Sequence, residues 1–396
     1  MNFRKIAFLV VSVTAMVLLL AVGVFGEPLQ KDGIYRYLST FTEVFSLVRS
    51  NYVEAVPSDQ LVDGAFKGVT DAIDEFSFYV PPADMPRFRT FVDNDLRNVG
   101  LVATKRFGFA YVIAPIPGSP ADEAGIETGD FIEKINGQPT QPMAVWQIRQ
   151  GLQVQPGSTL KLTIIHAGMS NRSEVEVHAK SYIPTPPSLT MYGNVAYIRI
   201  PYFTRETPAQ VTKLLVDVNA NGKKQLIVDV RGNASAEVDD AIATADELLS
   251  KGVITSLEGR RVDAKRWQAD PAVGFSGDIE VLTDRSTADA AEVFTAALTG
   301  NGRAKSVGVT TFGKAIYQKV VALPSGGALD LTIGHYTSPD LKPIDSQGLR
   351  PDVNVDLAML AIQKENGEEK AKQEDLILEK ALGLFGESET VLDKAA

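Results

Sequence analysis

The strongest constraint on how this chain folds is the alternation between residues 183 and 360. Four short apolar runs, VAYIRI, KQLIVDV, IEVLTD and SVGVTT, read as strands. Between them lie TPAQVTKLLVDVNANG, AEVDDAIATADELLSKG and ADAAEVFTAALTGNG, which read as helices, each closing on Gly or Asn-Gly. Strands that alternate with helices imply a βαβ sheet, so the expected class is α/β (α+β): a core of mixed sheet with flanking helices.

The flanking regions have different characters. Residues 93–182 break into short strands separated by Gly/Pro turns, with LKLTIIH and EVEVHA alternating in polarity, and read as a small β-rich domain. Residues 27–92 carry apolar residues at helical spacing in FTEVFSLVRSNYV and LVDGAFKGVTDAI, and end where IDEFSFYVPPADM meets two prolines. The tail, 361–396, is charged and reads as an exposed helix with a frayed end. At the other end Arg4 and Lys5 precede an apolar run over 6–26. A run of about 20 such residues spans a bilayer, and its positive flank points inward. Residues 1–26 are therefore expected to be a signal-anchor. The bulk would then lie outside the cytoplasm, in the cell envelope, held to the cytoplasmic (inner) membrane.

Composition narrows the chemistry. A net charge of −10 argues against nucleic acid as a partner, because phosphates need a basic surface. With no cysteine and only three histidines, His166, His178 and His335, thiolate sites are excluded and a His-based triad or metal site has little to draw on. No cofactor and no metal are expected. The stretch VLTDRSTADAAEVF, 281–294, has the form of a strand-to-helix turn that could mount a nucleophile. It offers Thr283, Ser286, Thr287 and Asp289.

The motifs together resemble the carboxyl-terminal processing (tail-specific) serine proteases, peptidase family S41, over nearly the whole chain after the apolar run. NYVEAVPSDQLVDGAFKGV and IDEFSFYV look like the family's entry segment. NVGLV followed by PGSPADEAGIETGDFIEKINGQP is similar to a PDZ domain. IVDVRGN sits at the family's Asp-Leu-Arg-x-Asn-Pro-Gly-Gly motif, VLTDRSTADAAE at its serine-rich motif, and GNGRAKSVGVTTFGKAIYQ at its lysine motif; HYTSPDLKPIDSQGLRPDV looks like its closing segment. The resemblance implies a helical segment at 27–92, a PDZ domain at 93–182 and a protease-like domain at 183–360. In a PDZ domain consecutive backbone N–H groups capture a peptide carboxylate and a strand edge pairs with the peptide. Here Val99, Gly100 and Leu101 would form that loop, and Leu101 and Val102 would face the peptide's last side chain.

In this family a serine is activated by a neutral lysine. Lys314 matches that lysine and Gln318 the glutamine after it. The spacing back from Lys314, and the overlay of STADAAE with Glu292 as the motif's terminal Glu, put Asp289 at the nucleophile position. A carboxylate there favours a charged lysine and an Asp289–Lys314 ion pair. Asp289 also stands where it could cap the following helix. The family's Asn-Pro-Gly-Gly reads Asn233-Ala234-Ser235-Ala236, which alters the loop that supplies oxyanion donors. The resulting expectation is a pseudoprotease that binds the C-terminal tails of extracytoplasmic proteins, as scaffold, adaptor or decoy for an active protease. Two alternatives stand beside it. One is an active endopeptidase using Thr287, Ser286 or Ser235, for which a shift of the oxygen by about 1 Å is already costly. The other is a structural subunit whose PDZ groove is filled by the protein itself. An aspartyl mechanism would need a partner such as Asp284 or Glu292 sharing a proton.

Overall fold

The computed structural model describes residues 32–91, 99–169, 171–271, 274–356 and 375–387. The expected anchor at 6–26 and most of the tail lie outside them. Among the described residues no helix is long and apolar enough to cross a membrane.

The chain divides into two units, one ending at Phe66 and one beginning at Lys67. The first holds α1 (Asp32–Asn51) and the start of α2 (Ser58–Asp71). Hydroxyls in α1 bond back one turn, as Thr42 Oγ1 does to the Leu38 carbonyl at 2.8 Å. The helical reading of 27–92 ends at Asp71. Phe78–Val80 forms strand β1, paired antiparallel with a strand more than two hundred residues later, and α3 (Met85–Thr90) follows the prolines. Local spacing cannot anticipate so distant a partner.

In the second unit, β2 (Leu101–Arg106), β3 (Phe109–Pro115), α4 (Pro120–Glu123), β4 (Phe131–Ile135), β5 (Gln138–Pro139), α5 (Val145–Gly151), β6 (Thr159–Ile165) and β7 (Arg172–His178) build the β domain. Its antiparallel sheet runs β2-β3-β4-β6-β7, with β5 on β4, so β2 is an edge strand. Alternate residues of these strands, among them Leu101, Val112, Ile132, Leu160 and Leu162, bury one face in a cluster with Ile148 of α5 and its C-cap Leu152.

The core follows with β8 (Ser188–Tyr192), β9 (Val195–Arg199), α6 (Thr207–Ala220), β10 (Gln225–Asp229), α7 (Val238–Asp246), β11 (Val253–Glu258), β12 (Lys265–Gln268), β13 (Asp278–Thr283), α8 (Ala290–Gly300), β14 (Ala304–Gly308), β15 (Ile316–Ala322), β16 (Ala328–Thr337), β17 (Val353–Asn354) and α9 (Leu376–Leu384). Its main sheet is ordered β17-β14-β13-β10-β9-β8, parallel except for β8. Helices α6, α7 and α8 cover one face. A smaller antiparallel sheet joins β1, β16, β11 and β12, with β15 also on β16. The expected mixed sheet with flanking helices is present. The tail differs from expectation. Within 361–396, α9 is not exposed: Ile377, Leu378, Ala381 and Leu382 pack on the sheet face opposite α6–α8. The charges of the tail conceal this short apolar stripe, LILEKALGL.

Candidate active site

Three loops meet where parallel strands β10, β13 and β14 end together. Because neighbouring parallel strands point the same way, their carboxyl ends open on one edge of the sheet. The 230–236 loop follows β10, the 284–289 turn follows β13, and the 309–315 loop follows β14. The backbone ties them: Ala288 N–H donates to the Asn233 carbonyl at 2.9 Å, and Phe312 N–H to the Thr287 carbonyl at 3.0 Å.

Asp289 stands at the head of α8 with φ 54° and ψ −113°, a conformation that non-glycine residues rarely adopt. Glu292 holds it there. This fully buried carboxylate accepts from Asp289 N–H (3.0 Å), Lys314 N–H (2.8 Å), Gly313 N–H (2.7 Å) and the Thr311 hydroxyl. Burial pushes Glu292 up to about 7, and the four donors limit the rise. One side chain thus fixes both the turn and the lysine loop. The structure gives Glu292 a positioning task and brings no shared proton to it.

Lys314 Nζ lies 2.7 Å from Asp289 Oδ2, and the two side chains are 8% and 7% exposed. The ion pair anticipated from the sequence is therefore formed, and it is nearly dry. Burial pushes the Asp289 carboxyl up, opposed by Lys314 and by Arg149 of α5. Asp289 is the N-cap residue of α8, as anticipated, and shares a capping box with Glu292, which accepts from its N–H; Asp289 Oδ2 also meets Lys314. Gln318 does not join the pair; on β15, its Nε2 donates to the Phe76 carbonyl at 3.1 Å and tethers the lead into β1.

The 230–236 loop turns the Ser235 carbonyl toward the start of α8. Ala290 N–H, the amide after the nucleophile position, donates to the Ser235 carbonyl at 3.0 Å. Ser235 N–H turns to Asn233 Oδ1 at 3.1 Å, and the Ala236 carbonyl accepts from Val238 N–H at 2.9 Å. An acyl-transfer site stabilises its developing negative charge with such amides, and here one is already satisfied by the protein.

The spare hydroxyls are structural. Ser235 Oγ donates to the Phe203 carbonyl and is fully buried. Thr287 Oγ1 lies within 3.2 Å of the Val230 carbonyl and accepts from Asp284 N–H. Ser286 Oγ meets Thr128 Oγ1 at 2.8 Å. Asp284 accepts from the amides of Gly232, Ser286 and Thr287, which makes it the turn's organiser and no partner of Asp289. The histidines have bland partners: His166 meets Asp130, His178 meets Thr159 and His335 faces Asp345. Among the described residues no three ligating side chains converge as a metal site. Two cleft residues were not read from the sequence. Arg149, whose Nε donates to the Ala103 carbonyl, acts on Asp289 through its charge, and Tyr336 has its hydroxyl pushed up to about 12 by burial and by Asp289. Neither stands in a motif that marks it.

The proposed peptide loop sits beside this cleft. Gly100 has φ 85°, and a Cβ there would overlap Ser119, so the glycine is required. Its carbonyl accepts from Ile116 N–H at 2.8 Å and from Ser119 Oγ. Val99 and Leu101 point into the β-domain core rather than toward a ligand. Val102 is buried in one cluster with Ile113, Tyr202, Ala234 and Ala288. The expectation that Leu101 and Val102 face a peptide's last side chain therefore needs correction. Leu101 lies in the β-domain core, and Val102 in the cluster that includes the 230–236 loop.

Comparison with known proteins agrees with this architecture. Residues 194–355 match the family model of peptidase family S41, and residues 111–165 match a PDZ domain model. The chain is 28% identical to a carboxy-terminal-processing protease of Bartonella bacilliformis, over 89% of this chain and 83% of that one. It is likewise 28% identical to the carboxy-terminal processing protease CtpA of Bacillus subtilis, over 80% of this chain and 68% of that one. Among solved structures it is similar to the photosystem II D1 C-terminal processing protease, with a TM-score of 0.68 and 25% identity, over 79% of this chain and 87% of that one. The parallel core over 194–355 is thus a peptidase family S41 domain, and a PDZ domain over 111–165 precedes it.

Proposed function

We propose that this protein is a tail-specific protease homologue that binds the C-terminal tails of extracytoplasmic proteins and does not hydrolyse them. The observation that carries the reading is the buried contact of Lys314 with Asp289 at the nucleophile position. A lysine base must be neutral and must face a hydroxyl that it deprotonates; here it faces a carboxylate. The engagement of Ala290 N–H by Ser235 adds a second obstacle, since it removes an oxyanion donor. The bonding of Ser235, Ser286 and Thr287 to structural partners argues against an endopeptidase that uses one of them. Residues 6–26 would anchor the chain in the cytoplasmic membrane with its bulk in the envelope, where it serves as scaffold, adaptor or decoy for an active protease. A self-filled groove is favoured by one observation, the burial of Val102 in one cluster with Ala234 and Ala288.

The test incubates the full chain with peptides ending in small apolar residues and follows both binding and cleavage by mass spectrometry. Binding without cleavage, lost when the peptide carboxylate is amidated, is the expected result. Robust turnover that disappears in Lys314→Ala would overturn the reading, and no binding at all would favour the self-filled groove. Asp289→Ser is expected to recover activity only in part, because the Ser235 carbonyl still holds Ala290 N–H.

A further inference from the structure

A cavity of about 480 Å³ opens at the outer end of β2, where that strand, the turn before α5, the end of α2 and β1 meet. Two lysines share it. Lys105 Nζ donates to the carbonyls of Gln141 and Met143 at 2.8 and 2.9 Å, and Lys67 Nζ donates to the Pro142 carbonyl at 2.7 Å. Both ammonium groups thus crowd onto three consecutive carbonyls. Burial and the charge of Lys67 together lower the pKa of Lys105, and Asp71 opposes this only in part.

The other acids nearby are already engaged. Glu75 forms a two-pronged pair with Arg106 at 2.8 and 3.1 Å. Asp74 accepts from the amides of Phe76 and Ser77 and from the Ser77 hydroxyl. No ion pair of Lys67 or Lys105 occurs among the described residues. Each ammonium has three donors, and the carbonyls take one from Lys67 and two from Lys105. Two adjacent cations with donors to spare, at the edge of a cavity, suit a carboxylate that bridges them.

Position identifies the carboxylate. β2 is the edge strand of its sheet, and Arg149 Nε already donates to its Ala103 carbonyl at 3.2 Å. The outer side of β2 thus has no strand partner, and a tail added there shares or displaces the Arg149 bond at Ala103. A tail whose terminus lies at the 99–101 loop and which runs antiparallel to β2 reaches Lys105 after ~13 Å, at about 3.3 Å per residue. We infer that Lys67 and Lys105 select an acidic side chain about four residues ahead of the carboxyl terminus of a polypeptide tail laid along β2. This specificity rests on the tail-binding reading above, and the experiment separates the two.

Peptides with a free carboxyl terminus, identical except for Glu, Gln or Lys at that position, are titrated into the full chain and followed by fluorescence anisotropy. The Glu peptide is expected to bind about five- to tenfold more tightly than the Gln peptide, with the advantage shrinking at high salt. Lys67→Gln with Lys105→Gln should abolish the advantage, so that the Glu and Gln peptides bind equally. Lys67→Glu should invert the preference toward the Lys peptide, which a misfolded variant could not do. Equal binding of Glu and Gln peptides, or a preference that survives the double substitution, overturns the lysine assignment and leaves tail binding standing. Failure of every free-carboxylate peptide to bind overturns tail binding and this inference with it.

Discussion

Replacing Lys314 with Met removes the partner of a buried carboxylate while keeping most of the side chain's volume. In the native protein Asp289 and Lys314 are 7% and 8% exposed and 2.7 Å apart. Breaking such a buried pair from one side costs about 3–5 kcal/mol, because the remaining charge has neither partner nor water. Against a total stability of roughly 5–15 kcal/mol, that is a large loss. The sign of its pH dependence follows from burial. Asp289's folded pKa is raised above its ordinary 3.8, so ionisation is harder in the folded state. The folded state is favoured below that ordinary value, and the advantage is lost as pH rises through the folded value. Without Lys314 the folded value climbs further, so the variant's deficit should be smaller at pH 5 than at pH 8. Asp289→Asn together with Lys314→Met leaves no charge and should recover most of the loss. Urea unfolding of the full chain at both pH values, followed by circular dichroism, gives these differences. A deficit below about 1 kcal/mol at pH 8, as for an exposed pair, would refute the dry ion pair. So would a deficit independent of pH.

Two further perturbations probe other parts of the molecule. Gly100→Ala places a Cβ against Ser119 at φ 85° and is expected to cost about 2–4 kcal/mol and to abolish tail binding, with Ser119→Gly restoring part of the melting temperature. Arg231→Met should release α9, because Arg231 bonds both Asp229 and the N-cap Asp375; hydrogen exchange of the α9 amides is expected to rise at least about tenfold. Burial alone would raise Asp229, but Arg231 and Arg199 carry it down to about 2. The stability from this network is therefore present above 3.8 and lost as pH falls toward 2, a dependence that Arg231→Met should flatten.

Much of the site was legible in the sequence because its parts are local. The expected contact of Asp289 with Lys314 rests on two residues and their spacing, and the structure forms it. The departure from the resembled Asn-Pro-Gly-Gly motif is visible in four consecutive residues, Asn233-Ala234-Ser235-Ala236. The glycine at 100 announces a backbone that only glycine adopts. What local patterns did not carry were contacts with distant partners. Phe78–Val80 resembles the end of a helical segment and becomes a strand, because β16 offers it a free edge. The stripe in LILEKALGL is short enough for the surrounding charges to mask, yet it covers a sheet face.

The sequence by itself determined the strand–helix alternation, the resemblance to peptidase family S41, and the spacing of Asp289 from Lys314, since each follows from residue type and spacing along the chain. Only the tertiary structure decided what that residue does. Parallel strands β10, β13 and β14 end on one edge, which brings three loops together and sets Asp289 against Lys314 in a dry cleft. The same packing aims the Ser235 carbonyl at Ala290 N–H and buries Val102 in one cluster with Ala234 and Ala288. These are contacts between segments far apart in the chain, and their directions depend on backbone turns that residue spacing does not encode.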